Sequence, residues 1–570
     1  MSNYVAKNNA SESEATPKRR RKLWLASGVA GLTGVVSIAA VGVATGAGAV
    51  GTDGLRWSTA QQVSRDGDQP AATPAAPAGK KGAPGQADRG DERNGEHRGD
   101  ERNGDNRGAD RRMPVPPPEG KDVPCDSDKL IQALIFANEN HGGVLNLAKG
   151  CTYKLTRSGV GDDRTGSNGL PVITEDVVLK GHDTTITRDA TAAEFRILNV
   201  GRGGNLTVKG LTIKNGQTRA LPINNETPEA VWSRFSNSVE ATKAAEAKKE
   251  YLPLLQATPK GIALKAKADS APSTLVDPLS NDGGGVLVQP GGSASFEETH
   301  IVANQAGGVG GGLANFGKAS LHHTTVADNT AFLYGGGIFN AGVLRVGESR
   351  VLNNDAIIGG GGVANGAAFI FRRDIDGGTA LIEKAEITGN EALGFGGGLL
   401  DIQGNTTVKY TKITGNTAVL AGAGVTAAGD DSTVELAHAE VAKNTTAGVG
   451  GGLALGFRAI ANVTESKIVE NKAGFFGGGV FNGTGEATFR HSEISGNRAV
   501  GPLGVGGGIF TVAGVIDLEK TKVAHNFATL TAGGVFSFLG EVNVDDKSAI
   551  TANKPTNCAG TFTPIPNCFG

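Results

Sequence analysis

Large aromatic and sulfur-bearing side chains are scarce. Aromatics make up 5% of the 570 residues, with 3 Trp and 5 Tyr, and there are 2 Met. That supply excludes a core of bulky interlocking rings and disfavours a carbohydrate groove paved with Trp and Tyr. Charge of one sign is missing too. The 55 Lys and Arg face 57 Asp and Glu, so no net field draws the chain to nucleic acid or to an anionic membrane. The 4 cysteines form no Cys-x-x-Cys, which leaves a zinc or redox motif without support. Glycine, by contrast, is abundant at 88 residues, and glycine is the residue of tight corners.

Four segments follow from composition. Residues 1–17 read as a disordered N-terminus. Residues 18–50 open with Lys18-Arg19-Arg20-Arg21-Lys22 and continue without charge from Leu23 to Val50, ending in Ala47-Gly48-Ala49. That layout is a secretory signal or, uncleaved, a membrane anchor; its Gly and Ala content favours the signal. Arg20-Arg21-Lys22-Leu23-Trp24 also resembles a twin-arginine export motif. Residues 51–118 carry Pro/Ala-rich sequence and a doubled Arg-Gly-Asp-Glu-Arg-Asn-Gly at Arg89 and Arg98. So few apolar side chains cannot form a core, and the segment reads as a solvated tether rather than an integrin ligand. Residues 119–570 are the folded part, with a charged, partly helical insertion at about 217–281. Cys125 and Cys151 bracket its start and Cys558 and Cys568 its end, so two local disulfides are the simplest of the three possible pairings.

From Asn281 onward the chain is periodic. Glycine clusters recur with their third member at Gly285, Gly312, Gly337, Gly362, Gly398, Gly424, Gly452, Gly479, Gly508 and Gly534, at intervals of 25 to 29 residues and one of 36. Such a period means a solenoid. Each unit holds one asparagine at a matching place: Asn304, Asn329, Asn354, Asn390, Asn416, Asn444, Asn471, Asn497, Asn526 and Asn553. Three residues earlier stands Ile or Val in every unit, five earlier a small residue, and two later Ala in eight units. Alternation with period two marks a strand with one buried face, and stiff β-branched side chains suit it. The expectation is an all-β, right-handed parallel β-helix whose asparagines take left-handed corners and hydrogen-bond copy to copy as a ladder. Four residues before the Asn, Glu386, Lys412, Glu440, Lys467, Glu493 and Lys522 alternate in sign, as an outward charge row would.

Upstream, strand-like pieces recur at Val144–Leu147, Val177–Leu179, Thr184–Thr187, Arg196–Val200 and Leu206–Ile213. Before them, Asp128 to Asn138 has a helical period with Leu130, Leu134 and Ala137 on one face and Ser127 or Asp126 as cap. This is the N-terminal capping helix that a solenoid needs over its open end. The whole pattern from Val123 to Gly570 resembles exported bacterial β-helix proteins of the pectate-lyase-like superfamily. The pattern comprises the Cys125–Cys151 bracket, Leu206-Thr207-Val208-Lys209-Gly210-Leu211-Thr212-Ile213 and the repeated [Val/Ile]-x-x-Asn-x-Ala before Gly-Gly-Gly. The unit is similar to polymorphic outer-membrane protein repeats, with Ile or Val where those carry Phe and with no barrel pattern after Cys568, so autotransport is not expected. Such families host both enzymes and binding proteins.

Chemistry is thin. A lyase needs carboxylates converging on Ca²⁺ with a basic residue, a glycosidase two facing carboxylates. The acids on offer are Asp162-Asp163-Arg164, Asp374 and Asp376 beside Arg373, Asp401, and Asp430-Asp431, and none shares a row with acids of neighbouring units, so they read as turn formers. His438, Glu465 and His491 fall on three successive coils six residues before the Asn and form a candidate metal set. A flat strand face does not close a tetrahedral site, so an ion-free ladder is the expectation. Phe339, Phe481, Phe510 and Phe536 form a row two residues after the third glycine, read as a wall stack rather than a sugar platform. The functional expectation is a secreted or cell-surface, non-catalytic rod for binding, adhesion or structure, with no catalytic residue, cofactor or nucleic acid. Its partner would be polysaccharide or a surface protein, met through long faces or inserted loops; the membrane enters only through an uncleaved residue 18–50 segment. The alternative is an exported polysaccharide lyase or glycoside hydrolase.

Overall fold

A computed structural model describes residues 120–159, 165–218, 279–367 and 375–570. The signal or anchor, the tether, the helical part of the insertion, Asp162-Asp163-Arg164 and Phe369 to Asp374 lie outside the described residues. What is described is a right-handed parallel β-helix of about 13 turns. One coil serves for all. Leu313–Asn315 follows the glycine cluster, Lys318–His322 and Thr325–Ala327 form the longest wall, and Thr330–Ala331 closes the turn. Each of these strands pairs in parallel and in register with its equivalents one coil above and below.

Corners are made where the backbone can turn with positive φ. The residue before each ladder asparagine takes the left-handed conformation: Ala303 at 52°, Asp328 at 56°, Lys443 at 57°, Glu470 at 56°. The asparagine does not, contrary to the sequence expectation. With the corner already turned by its neighbour, the Asn side chain is free to point inward beneath the N–H of the coil before it. A second left-handed corner falls six residues before the Asn, at residues such as His323, Glu348 and His438. Here extended strand meets extended strand, which a flat reading of the sequence as one alternating segment did not anticipate.

Inside, the asparagines stand in one line. The Oδ1 of Asn329 accepts both the backbone N–H (2.9 Å) and the Nδ2 (3.0 Å) of Asn304, while its own Nδ2 donates to Ile301 O at 2.9 Å. The same three bonds recur at each step through Asn471, Asn497 and Asn526 to Asn553. Gly216 N–H enters the top of the line, and Asn557 Oδ1 ends it by accepting from Asn553. The third glycine of each cluster is packed against this line: a Cβ at Gly452 would lie 2.8 Å from Gly479 O and 2.9 Å from Asn471 Nδ2. Parallel to it runs a column of hydroxyls at the small position, where Ser466 Oγ accepts from Ala439 N and Thr521 Oγ1 from Ser492 N. Eight of the ten small residues carry such a hydroxyl, Ala385 and Ala439 being the exceptions. Beside them runs a file of Ile and Val, from Ile301 through Val326 to Ile550, buried throughout, and further Leu, Ala and Phe such as Leu321 and Phe489 fill the core.

Both ends are closed. Helix α1, Ser127–Glu139, is capped by Asp126, whose carboxylate accepts from Asp128 and Lys129 N–H, and it buries Leu130, Ala133, Leu134 and Ala137. Ile131 packs at the edge of that face, while Ile135 stays 44% exposed. Cys125 bonds Cys151 and Cys558 bonds Cys568. The second clip brings the terminal strand of chain back so that Asn557 N–H meets Gly570 O and its Nδ2 meets Phe569 O, which fixes the last acceptor of the ladder. Val177–Leu179 and Thr184–Thr187 prove to be one strand, Asp176–Arg188, with a register shift after Lys180. Two strands unforeseen in the sequence, Lys121–Val123 and Thr152–Leu155, complete the first coils.

Removing the Asn471 amide takes the acceptor from the buried Asn444 N–H and from one of the two bonds of Asn444 Nδ2, and the side-chain donor from Val441 O and Asn497 Oδ1. Asn471→Ala is therefore expected to lower unfolding stability by about 1–3 kcal/mol. Urea unfolding beside an exposed-site control such as Lys467→Ala measures it, and equal shifts would show that the ladder contributes nothing specific.

Candidate functional site

The rows that the sequence placed on the outside can now be followed coil by coil. Residues four before the Asn do face one another in register, Arg350 to Glu386 to Lys412 to Glu440. Of that row, Arg350–Glu386 closes to 3.3 Å, while Glu493 turns its carboxylate to the Ser495 hydroxyl at 2.8 Å. Screening by water and side-chain entropy explains why register alone does not close such pairs. Ion pairs form instead mostly at the corners and strand ends, Lys443–Glu470 at 3.8 Å and Arg490–Glu519 at 2.9 Å among them.

The phenylalanine row is a buried wall. Phe481, Phe510 and Phe536 lie nearly parallel, with centroids 5.9 and 5.2 Å apart, and Phe476 stacks on Phe510 at 4.6 Å. The loop that precedes each glycine cluster folds over the outer face of the strand that follows it. Phe339 is buried beneath such a loop; Phe481, Phe510 and Phe536 are buried as well, and Phe476 partly so.

Asp401 is likewise internal. It continues a second amide line that the sequence did not reveal: Asn315 donates to Asn340 (2.7 Å), Asn340 to Asn365 (2.9 Å) and Asn365 to the Asp401 carboxylate (2.8 Å). The carboxylate also accepts from Thr406 Oγ1 (2.5 Å), Ser432 Oγ (2.6 Å) and Gly404 N (3.1 Å). Burial pushes its pKa up while these donors pull against that shift. The signal was there in the sequence as Asn315, Asn340, Asn365 and Asp401, each three residues after the glycine cluster. Asp430 pairs with Arg458 at 3.5 Å, and Asp376 follows the Ala367–Ile375 bridge at the base of the unit-four insertion.

The candidate metal set is not brought together. His438 Nδ1 meets Glu465 Oε2 at 3.2 Å and stacks on Tyr410, centroids 4.6 Å apart. His491 stands one coil further on. Three ligands on three coils span two spacings, roughly 9.6 Å, which is more than one ion bridges.

The outer acids that do converge lie on the short-strand wall, one residue after the asparagines. Asp355 faces Glu391 in register, and Thr330 and Thr417 flank them in the same row. Asp328, at the adjacent left-handed corner, accepts from the Asn353 side chain and lies in the field of Lys214. Desolvation, then the charges of Glu391 and Asp328, push Asp355 up to about 7, and desolvation raises Glu391 and Asp328 too. At neutral pH the Asp355 carboxyl thus stands close to its own pKa beside a second desolvated carboxyl, Glu391. The row was readable as consecutive acids at Asp355 and Glu391, but without the coil geometry nothing distinguished it from other turn positions.

No helix among the described residues is long and apolar enough to cross a membrane. No protein-family model and no curated protein matches the sequence. Among solved structures, the chain is similar to the A-module of a mannuronan C-5 epimerase from Azotobacter vinelandii, at 11% identity over 77% of this chain and 95% of that one, with a TM-score of 0.36.

An ordinary aspartate ionises near pH 4. Below about 4, Asp355 is protonated folded or unfolded and adds no pH dependence; between about 4 and 7 the unfolded chain has lost a proton that the folded one keeps, so stability falls as pH rises, and above about 7 the loss is complete. Asp355→Asn is expected to flatten this fall. Urea unfolding of both proteins near pH 5 and near pH 8 reads it, and identical pH dependence would remove the desolvated acid pair.

Proposed function

We propose that the protein is an exported, non-catalytic rod of the pectate-lyase-like type. It presents its long walls to polysaccharide or to another surface protein outside the cytoplasm. One observation carries this reading: the groups best suited to handle a sugar, the phenylalanine row and Asp401, are buried and spent on building the stack. Export rests on the basic-then-apolar N-terminal segment and on two disulfides, bonds that persist in oxidising compartments. Closed ends and a continuous ladder suit a part that must keep its length and straightness.

A second reading, a polysaccharide-cleaving enzyme, is favoured by Asp355 and Glu391 alone. Their backbones are one coil, roughly 4.8 Å, apart, and both side chains are partly exposed. Incubation of the purified protein with polyuronates and neutral cell-wall glycans, with and without Ca²⁺, separates the two. The rod reading expects no unsaturated uronate by ultraviolet absorbance and no new reducing ends, with retention of the protein on one of these polymers or on a cell surface. Turnover that Asp355→Asn and Glu391→Gln both abolish would replace it with the second reading.

A further inference from the structure

The left-handed corner six residues before the ladder forms an outward row of its own, Glu298, His323, Glu348, Lys384, Tyr410, His438, Glu465 and His491. In one place this row gains a neighbour able to bind the same ion. His322 ends its strand just before the corner at His323, and Glu348 occupies the same corner on the next coil. Donor atoms of His322, His323 and Glu348 all lie within 4.8 Å of one another. Among the described residues this is the group of three that does so. Two of the ligands belong to one coil and the third to the next, so the set spans a single spacing.

Several features fit these residues to one ion. His323 Nε2 and Glu348 Oε2 are 3.5 Å apart. That is close to the separation of about 3.3 Å between two ligands on a tetrahedral ion with bonds of about 2.05 Å. The His322 ring lies 4.1 Å from that of His323, at 69° to it, so the two rings meet edge-on rather than stacked, with a nitrogen of each within 4.8 Å of the other. It has room to do so because its register partner on the next coil is Gly347. A Cβ there would sit 3.6 Å from His322 Cδ2, whereas from Glu297 to Glu519 the other members of that row carry side chains. Lys384 Nζ holds Glu348 Oε1 at 3.3 Å, leaving Oε2 to the histidines. A carboxylate fixed on one oxygen and coordinating through the other is the usual outer-sphere arrangement of a metal ligand.

We propose that His322, His323 and Glu348 form a surface site for a borderline divalent transition-metal ion, zinc foremost. Two imidazoles and one carboxylate exclude Ca²⁺ and Mg²⁺, which want all-oxygen shells, and suit Zn²⁺. Three protein ligands on an exposed wall leave a coordination position for water or for an anionic group of a partner, such as a uronate carboxylate. The site is independent of whether the acid patch on the short-strand wall is catalytic, and it needs no backbone movement, since both corners are already set.

The test is calorimetric titration of the untagged full-length protein with Zn²⁺, and Co²⁺ absorption as a readout of ligand geometry. His323→Asn keeps a residue that accepts the left-handed corner, Glu348→Gln keeps shape, and His438→Gln serves as a control on the same row. One equivalent of Zn²⁺ is expected, weakened at least about tenfold in His323→Asn and in Glu348→Gln and unchanged in His438→Gln, with a Co²⁺ spectrum that His322→Gln alters. Wild-type binding no stronger than that of the His322→Gln/His323→Asn double variant overturns the site. So does an affinity that falls with His438→Gln and not with His323→Asn.

Discussion

A backbone N–H at the corner of each coil is sealed from water and must find an acceptor. The stacked asparagines meet that demand, and the rest of the molecule depends on how they do it. One amide oxygen takes two donors from the coil before, and one amide nitrogen spans to the oxygen of the next coil and to a carbonyl. The arrangement closes only when the copies stand directly over one another, a single coil apart. It therefore acts as a ruler. Intervals between units vary from 25 to 36 residues, yet Asn354 bonds Asn390 across the longest at 2.9 Å, as Asn304 bonds Asn329 across the shortest at 3.0 Å. The strands on either side of the longest interval pair in register all the same.

The same ruler decides which surface residues can cooperate. Side chains at one register position of adjacent coils meet, and those two coils apart do not. Asp355 and Glu391 satisfy this rule, and the Glu391 charge adds to the proton affinity of Asp355, while His438 and His491, separated by a coil, do not reach a common ligand. Where adjacent residues of one coil join one residue of the next, as at His322, His323 and Glu348, three donors fit in the space of one ion. Function on such a wall is thus quantised in coil spacings.

A repeating stack has no natural end, and an exposed last strand would recruit further strands. Here both ends are built from chain that lies outside the repeat. At the start α1 lays its apolar face over the first coils and is held by Cys125–Cys151. At the finish the Cys558–Cys568 loop delivers Asn557 as the final acceptor, so the disulfide and the hydrogen-bond line are parts of one closure.

How much of this was legible follows from what stacking makes local. Period, buried β-branched file, capping helix and the positions of the ladder asparagines could be read from residue order, because each is repeated or locally patterned and a repeated demand leaves a repeated letter. Which residue turns the corner could not, since left-handed backbone is permitted to Asp328, Lys443 and Glu470 by context and not by type. Nor could the burial of Asp401, or the gathering of Asp355 with Glu391 and of His322 with His323 and Glu348. Those depend on distances between coils, and a chain read in one dimension holds residues 25 or 36 apart at no distance at all.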